Sequence, residues 1–251
     1  QRRYAKKLGF KKDIQPHDQK KSSAKLNVRG MFYLKRRGLI LAYHRVNSSG
    51  KDPMAVSVED FKDHMNYFYE KGYSSLTLQE YYKLLIQGNT SQKNLIITFD
   101  DGYRDNYLFA FPILRLYGFS GTIFLTANYI GNNDIFPMDK KKNWDYITDE
   151  DLPLTWEQIF KMKEYGMEFG SHACSHRHLD ELPEKEMTKE IFESKHYLEQ
   201  KLGSKVTSFC YPSGRFNRQV KETVLQAGYL SAVVTPRQGQ SSEDMFSLKR
   251  I

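Results

Sequence analysis

From Leu39 onward, short runs of apolar and β-branched residues alternate with longer amphipathic stretches, and few architectures accommodate that rhythm. LILAYHRV (39–46) has the composition of a buried strand, and SVEDFKDHMNYFYEKGY (57–73) carries apolar residues at 58, 61, 65 and 68, the spacing of one helix face. The pairing recurs. YSSLT (73–77) precedes LQEYYKLLIQG (78–88), NLIITFD (94–100) precedes a helical stretch at 104–117, and GTIFLTA (121–127) precedes TWEQIFKMKEYG (155–166). MEFGSH (167–172) then leads to EKEMTKEIFESKHYLEQKLG (184–203), VTSFCYP (206–212) to 217–227, and LSAVVT (230–235) comes last. About seven strands joined through helices imply a parallel sheet covered by helices, either a barrel or an open doubly wound sheet. Periodicity does not choose between the two. No Gly-x-Gly-x-x-Gly follows a strand and no phosphate loop is present, which counts against a nucleotide-binding sheet. Residues 128–154 have little pattern and follow a strand; in a barrel such an insert lies over the active face.

In parallel α/β folds the carboxyl ends of the strands face the functional side. That rule selects His44 after the first strand, Asp100 and Asp101 after NLIITF, His172 after MEFGS, and the turn Tyr211-Pro212-Ser213-Gly214. These residues come from distant parts of the chain, and a barrel would make them converge. His172 and His176, four residues apart in SHACSH, can face one side of a compact loop and hold one cation. Two surface or capping histidines would show the same bare spacing. A strand-end carboxylate as third ligand would complete the open site of a catalytic divalent metal. Asp100 and Asp101 are adjacent, which is electrostatically costly unless they divide the work, one binding the metal and the other accepting a proton from water. An ordinary Asp-Gly turn with Asp100 capping the next helix is the alternative.

TFDDGY (98–103), SHACSHRHL (171–179) and YPSG (211–214), in this order and spread over about 120 residues, resemble the motifs of the polysaccharide deacetylase family, the NodB-homology carbohydrate esterases. The strand and helix pattern extends the similarity over 39–251. The resemblance implies a distorted (β/α)7 barrel and metal-dependent removal of acetyl groups from a polysaccharide. It also implies Asp100 as general base and Asp101, His172 and His176 as metal ligands. Zinc is the expected ion, and a mixed oxygen and nitrogen site also accepts cobalt or nickel.

The chain departs from the family in places. Ala173 stands where Ser or Thr is usual, Cys210 where many members have the Arg that partners the base, and Ser213 where many have Tyr. Arg215 and Arg250 are candidates to replace that partner. The usual late Leu-x-His motif of the acid is absent, but AYHRV offers His44, and this early His, YPSG and the late LKRI resemble the subgroup acting on biofilm poly-β-1,6-N-acetylglucosamine. His44 is therefore the expected acid, with Ser213 and Tyr211 on the substrate or oxyanion side. Peptidoglycan or chitin oligomers are alternative substrates, and a non-catalytic carbohydrate-binding module is the alternative of a different class. That module would not need both Asp100 and His44.

The net charge of +8 suggests nucleic acid until it is divided. Residues 1–37 hold 13 Lys and Arg against Asp13 and Asp18, a net of +11, so 8 minus 11 leaves −3 for the rest. The basicity belongs to an expected N-terminal arm (1–37), suited to peripheral contact with anionic membrane or cell wall, and the domain (38–251) is not expected to bind nucleic acid. The polymer substrate implies an extracellular or surface-associated enzyme, and a monomer is expected. Two cysteines, Cys174 and Cys210, exclude a disulfide scaffold, although one bridge is possible.

Overall fold

The computed structural model describes residues 38–49, 52–140, 147–235 and 244–251, so the expected basic arm (1–37) lies outside the described residues. In chain order the strands are β1 (Leu39–Tyr43), β2 (Arg45–Val46), β3 (Ala55–Val56), β4 (Ser74–Leu76), β5 (Asn94–Phe99), β6 (Thr122–Leu125), β7 (Glu168–Ser171), β8 (Ser208–Cys210), β9 (Ser231–Val234) and β10 (Leu248–Lys249). The α-helices are α1 (Val58–Glu70), α2 (Leu78–Gln87), α3 (Phe111–Tyr117), α4 (Trp156–Tyr165), α5 (Glu184–Leu202) and α6 (Arg218–Gln226).

The main sheet runs β1-β5-β6-β7-β8-β9-β10, and every pairing is parallel. Backbone hydrogen bonds beyond β10 close it into a ring. Arg250 N–H donates to Val234 (3.1 Å), Ala42 N–H to Ile251 (2.8 Å) and Ile251 N–H to Ile40 (3.0 Å), so the segment after β10 bridges β9 to β1. The result is a (β/α)7 barrel. Its distortion is at β5, whose one edge is shared by β4 along Asn94–Ile96 and by β6 at Thr98 and Phe99.

The observed ring differs from the expected strand set in one member. The run 73–77 forms β4 but stands off the ring, and the seventh position is filled by β10, which shows no strand signature because two residues carry no period. The expected strand 39–46 is also interrupted, breaking at His44 between β1 and β2.

Alternation along the strands builds two cores. Ile40, Ile96, Phe124, Val233 and Leu248 point into the barrel, where Leu78, Tyr81 and Leu85 of α2 meet them and plug its amino end. The intervening residues, such as Leu41, Ile97, Phe99, Ile123 and Phe209, pack beneath the other helices. Phe61 on the predicted apolar face of α1 meets Tyr43 edge-on (5.1 Å) and Phe99 (5.8 Å), backing the strand ends that lead into His44 and Asp100. Burying such an aromatic ring is worth roughly 1.5–3 kcal/mol.

At the plugged end, Glu168 accepts from the Gln79 N–H (2.8 Å), Thr122 Oγ1 (2.9 Å) and Ser208 Oγ (2.5 Å). Burial pushes its carboxyl above the usual range despite these donors. A carboxyl raised by folding favours the native state when protonated, and that contribution is lost as pH rises through the folded-state value. A Glu168→Gln protein, which cannot ionise, should therefore gain in melting temperature relative to the parent over the pH interval just above the ordinary glutamate range. A difference that stays constant over that interval would contradict the assignment.

No helix among the described residues is long and apolar enough to cross a membrane. Both cysteines are free and buried.

Candidate active site

Asp100 leaves β5 at the open mouth of the barrel, its N–H bonded to the Tyr43 carbonyl (2.9 Å). Asp101 then turns left-handed (φ 71°) and Gly102 follows at φ 88°. The positive φ favours glycine there, and a Cβ would also come within 2.9 Å of the tip of the Leu125 side chain, which would have to shift. This turn breaks the opposite facing of adjacent strand residues and leaves both buried carboxylates at the same mouth.

Arg250 enters the barrel from just beyond β10 and forks onto Asp100, Nη1 to Oδ1 and Nη2 to Oδ2, each at 2.6 Å. The guanidinium also reaches Thr98 (3.0 Å), Thr235 (3.2 Å) and the Cys210 sulfur (3.3 Å), and lies 5.9 Å from the centre of the Phe124 ring. Burial acts to raise the Asp100 carboxyl, but the charge and hydrogen bonds of Arg250 outweigh it and hold Asp100 well below the usual carboxylate range. The small Cys210 side chain leaves room for a guanidinium arriving from the neighbouring part of the ring.

His172 follows β7, and its Nδ1 bonds the Cys210 carbonyl at 2.8 Å. That bond places the proton on Nδ1 and aims Nε2 at Asp101 Oδ1, 3.6 Å away. His176 Nε2 is 3.4 Å from the same oxygen. The loop between them is set by Glu190 of α5, which accepts from the N–H groups of Cys174 and Ser175 (2.9 Å each) and from the Ser175 hydroxyl. Burial pushes His172 down to about 3 and lowers His176 as well, so both imidazoles are neutral and can offer lone pairs. One carboxylate oxygen and two neutral imidazole nitrogens within 4.8 Å of one another fit a divalent cation. Asp100, His172 and Cys210 also cluster, but Asp100 is taken by Arg250 and burial raises the Cys210 thiol far above its ordinary value. Asp101, His172 and His176 are the better ligand set.

His44, in the break between β1 and β2, brings Nε2 to 3.7 Å from Asp100 Oδ2 with its side chain 25% exposed. His44, Asp100, Asp101, His172, His176 and Arg250 thus converge. Ser213 sits in the turn after β8 with φ 54°. Two expected residues do not join the site through their side chains. Tyr211 is fully buried, donates its hydroxyl to the Phe246 carbonyl (2.9 Å) and stacks on Phe216, because strand parity turns Cys210 inward and Tyr211 outward. Arg215 pairs with Asp180 (3.1 Å) and Glu181 (2.5 Å), which leaves Arg250 as the partner of Asp100.

Sequence reasoning overlooked Glu190, whose signal was present: it is an acid on the buried stripe of α5, between Met187 and Ser194. Among the described residues the non-glycine positions with positive φ are Asp101, Ala173, His176 and Ser213, all in the loops of this site. Such conformations persist where surrounding structure holds them, and they cluster at functional centres.

The polysaccharide deacetylase family matches residues 87–232. The chain is 31% identical over 214 residues to a putative polysaccharide deacetylase of Bacillus subtilis, covering 84% of this chain and 70% of that protein. It is 26% identical over 228 residues to a poly-β-1,6-N-acetyl-D-glucosamine N-deacetylase of Staphylococcus epidermidis, covering 81% and 76%. Among solved structures it is similar to the Streptococcus pyogenes deacetylase PplD in complex with acetate (TM-score 0.71, 25% identity, 86% of this chain and 92% of that one). It shares its fold with IcaB from Ammonifex degensii (TM-score 0.71, 24% identity, 86% and 91%). With more than half of its length matched to the family and a relative at 31% identity aligned over most of both proteins, this chain belongs to the polysaccharide deacetylase family and is a hydrolase of acetyl amide bonds.

Proposed function

We propose that this deacetylase removes N-acetyl groups from poly-β-1,6-N-acetyl-D-glucosamine outside the cell, using a divalent cation, zinc first, held by Asp101, His172 and His176. The observation that carries the reading is the Asp100 carboxylate, forked onto Arg250 beside a three-donor cluster and facing His44 across the mouth. When bound, the cation supplies Lewis-acid polarisation and a more acidic water, which lets a carboxylate of low basicity serve as proton acceptor. Asp100 takes the proton of the attacking water, and Arg250 keeps Asp100 ionised and aimed. The backbone N–H of Ser213, in the turn after β8, is assigned to the developing oxyanion. His44 donates a proton to the amine, which cannot leave as an anion.

The linkage is supported by the named activity of the Staphylococcus epidermidis relative and by the early His44 beside Asp100. The extracellular location follows from that substrate, and the basic segment 1–37 suits peripheral contact with anionic lipid or wall polymer. The enzyme is proposed to act as a monomer.

Incubating metal-loaded protein with β-1,6- and β-1,4-linked N-acetylglucosamine oligomers, with and without chelator, tests the reading. Acetate should appear mainly from the β-1,6 oligomer, stop with chelator and return with zinc. Preference for the β-1,4 oligomer would move the substrate to chitin or peptidoglycan. Acetate from neither would rule out both linkages as the substrate.

A further inference from the structure

The His44 ring meets Asp100 at 3.7 Å, longer than a hydrogen bond, so its place depends on how its backbone is held. That backbone is clamped from the segment that carries Asp100 and Asp101. Asn106 Nδ2 donates to the His44 carbonyl at 3.0 Å and to Asp105 Oδ1 at 2.8 Å. Asp105 Oδ2 accepts from Arg45 Nε at 2.9 Å and from Asn47 Nδ2 at 2.8 Å. Arg45 is fully buried, donates onward to Asp151 at 2.7 Å and to the Glu150 carbonyl at 3.1 Å, and lies 4.6 Å from the centre of the Tyr103 ring. Residues 44, 45 and 47 are therefore all fastened to the Asp105-Asn106 pair, which opens a π-helical turn at Asn106–Ala110.

We infer that Asp105 and Asn106 are positioning residues for His44, fixing the proton donor at a set distance from Asp100. The inference rests on the reading of His44 as the acid. Asp100, Asp101, Asp105 and Asn106 lie within seven residues, so one rigid turn sets the proton acceptor, a metal ligand and the clamp on the donor together. Buried hydrogen bonds from Arg45, Asn47 and Asn106 to Asp105 hold the base of this clamp, and proton transfer is steep in distance: a misplacement of about 1 Å can cost about 10²-fold.

The test compares two substrates in Asn106→Leu, which has nearly the same size and lacks the amide donor. An N-acetylglucosamine oligomer needs its amine protonated, whereas the phenolate of 4-nitrophenyl acetate leaves without a proton. Asn106→Leu should lower kcat on the oligomer about 10- to 100-fold, with KM and aryl acetate turnover changed by about threefold or less. His44→Ala should show the same selectivity, and adding Asn106→Leu to it should cost little more, because both act through one group. Equal losses on both substrates in Asn106→Leu, beside a selective His44→Ala, would overturn the positioning role alone. A non-selective His44→Ala would remove the acid assignment and the positioning role with it. Should Asn106→Leu fail to fold, Asn47→Ala loosens the same loop from the Asp105 side and is read by the same two substrates.

Discussion

Asp100→Asn should lower kcat for acetate release by at least ~10²-fold while the protein keeps its full complement of metal. The amide has the shape of the carboxylate but cannot accept the proton of the attacking water. It also turns an N–H group toward the Arg250 guanidinium, where two acceptor oxygens now sit at 2.6 Å. Metal content should hold because the three converging donors belong to Asp101, His172 and His176. Asp101→Asn should behave differently, losing metal and activity together. Acetate release and metal stoichiometry, measured on the same preparations, separate the two acids. A metal-loaded Asp100→Asn protein with full activity would refute the division of labour.

Arg250→Leu should destabilise the protein by about 3–5 kcal/mol, since it strands a buried carboxylate without its partner. Both side chains are nearly inaccessible, 1% and 4% exposed, so bulk solvent replaces little of the lost two-point contact. The double variant Arg250→Leu/Asp100→Asn should recover part of that stability, because the stranded charge is gone, and should remain inactive. Arg250→Lys keeps the charge but not the planar fork, and should fall between parent and Arg250→Leu in both stability and kcat. Urea midpoints provide the comparison. A midpoint for Arg250→Leu equal to that of the parent would show that the pair is not what holds Asp100 in place.

Much of the site could be read before any coordinates, for identifiable reasons. The βα rhythm is a local signal, and the rule that strand ends carry function selects His44, Asp100, His172 and the turn at 211–214. Parity could have gone further: with Ile96, Thr98 and Asp100 on the inner face of β5, the same alternation in β8 turns Cys210 inward and Tyr211 outward, as observed. Glu190 was legible as an acid on an apolar stripe, but its partners are the N–H groups of a loop whose shape the sequence does not reveal. Asp105 and Asn106 were in plain view beside the acid pair, and only the break at His44 shows what they hold.

By itself the sequence determined the alternation, the barrel as one of two architectures, the acid pair and the histidine spacing, because each is set by residues near one another along the chain. Tertiary structure alone decided how the ring closes and which arginine serves Asp100. Arg250 lies 150 residues from Asp100 and reaches it only because two residues of β10, too few to show a period, pair with β9 while Ile251 bonds to β1. Arg215 is nearer to the Cys210 position in sequence, yet acids in its own loop hold it. Proximity of that kind comes from closure of the whole barrel, a sum of strand pairings and burial that no short stretch encodes.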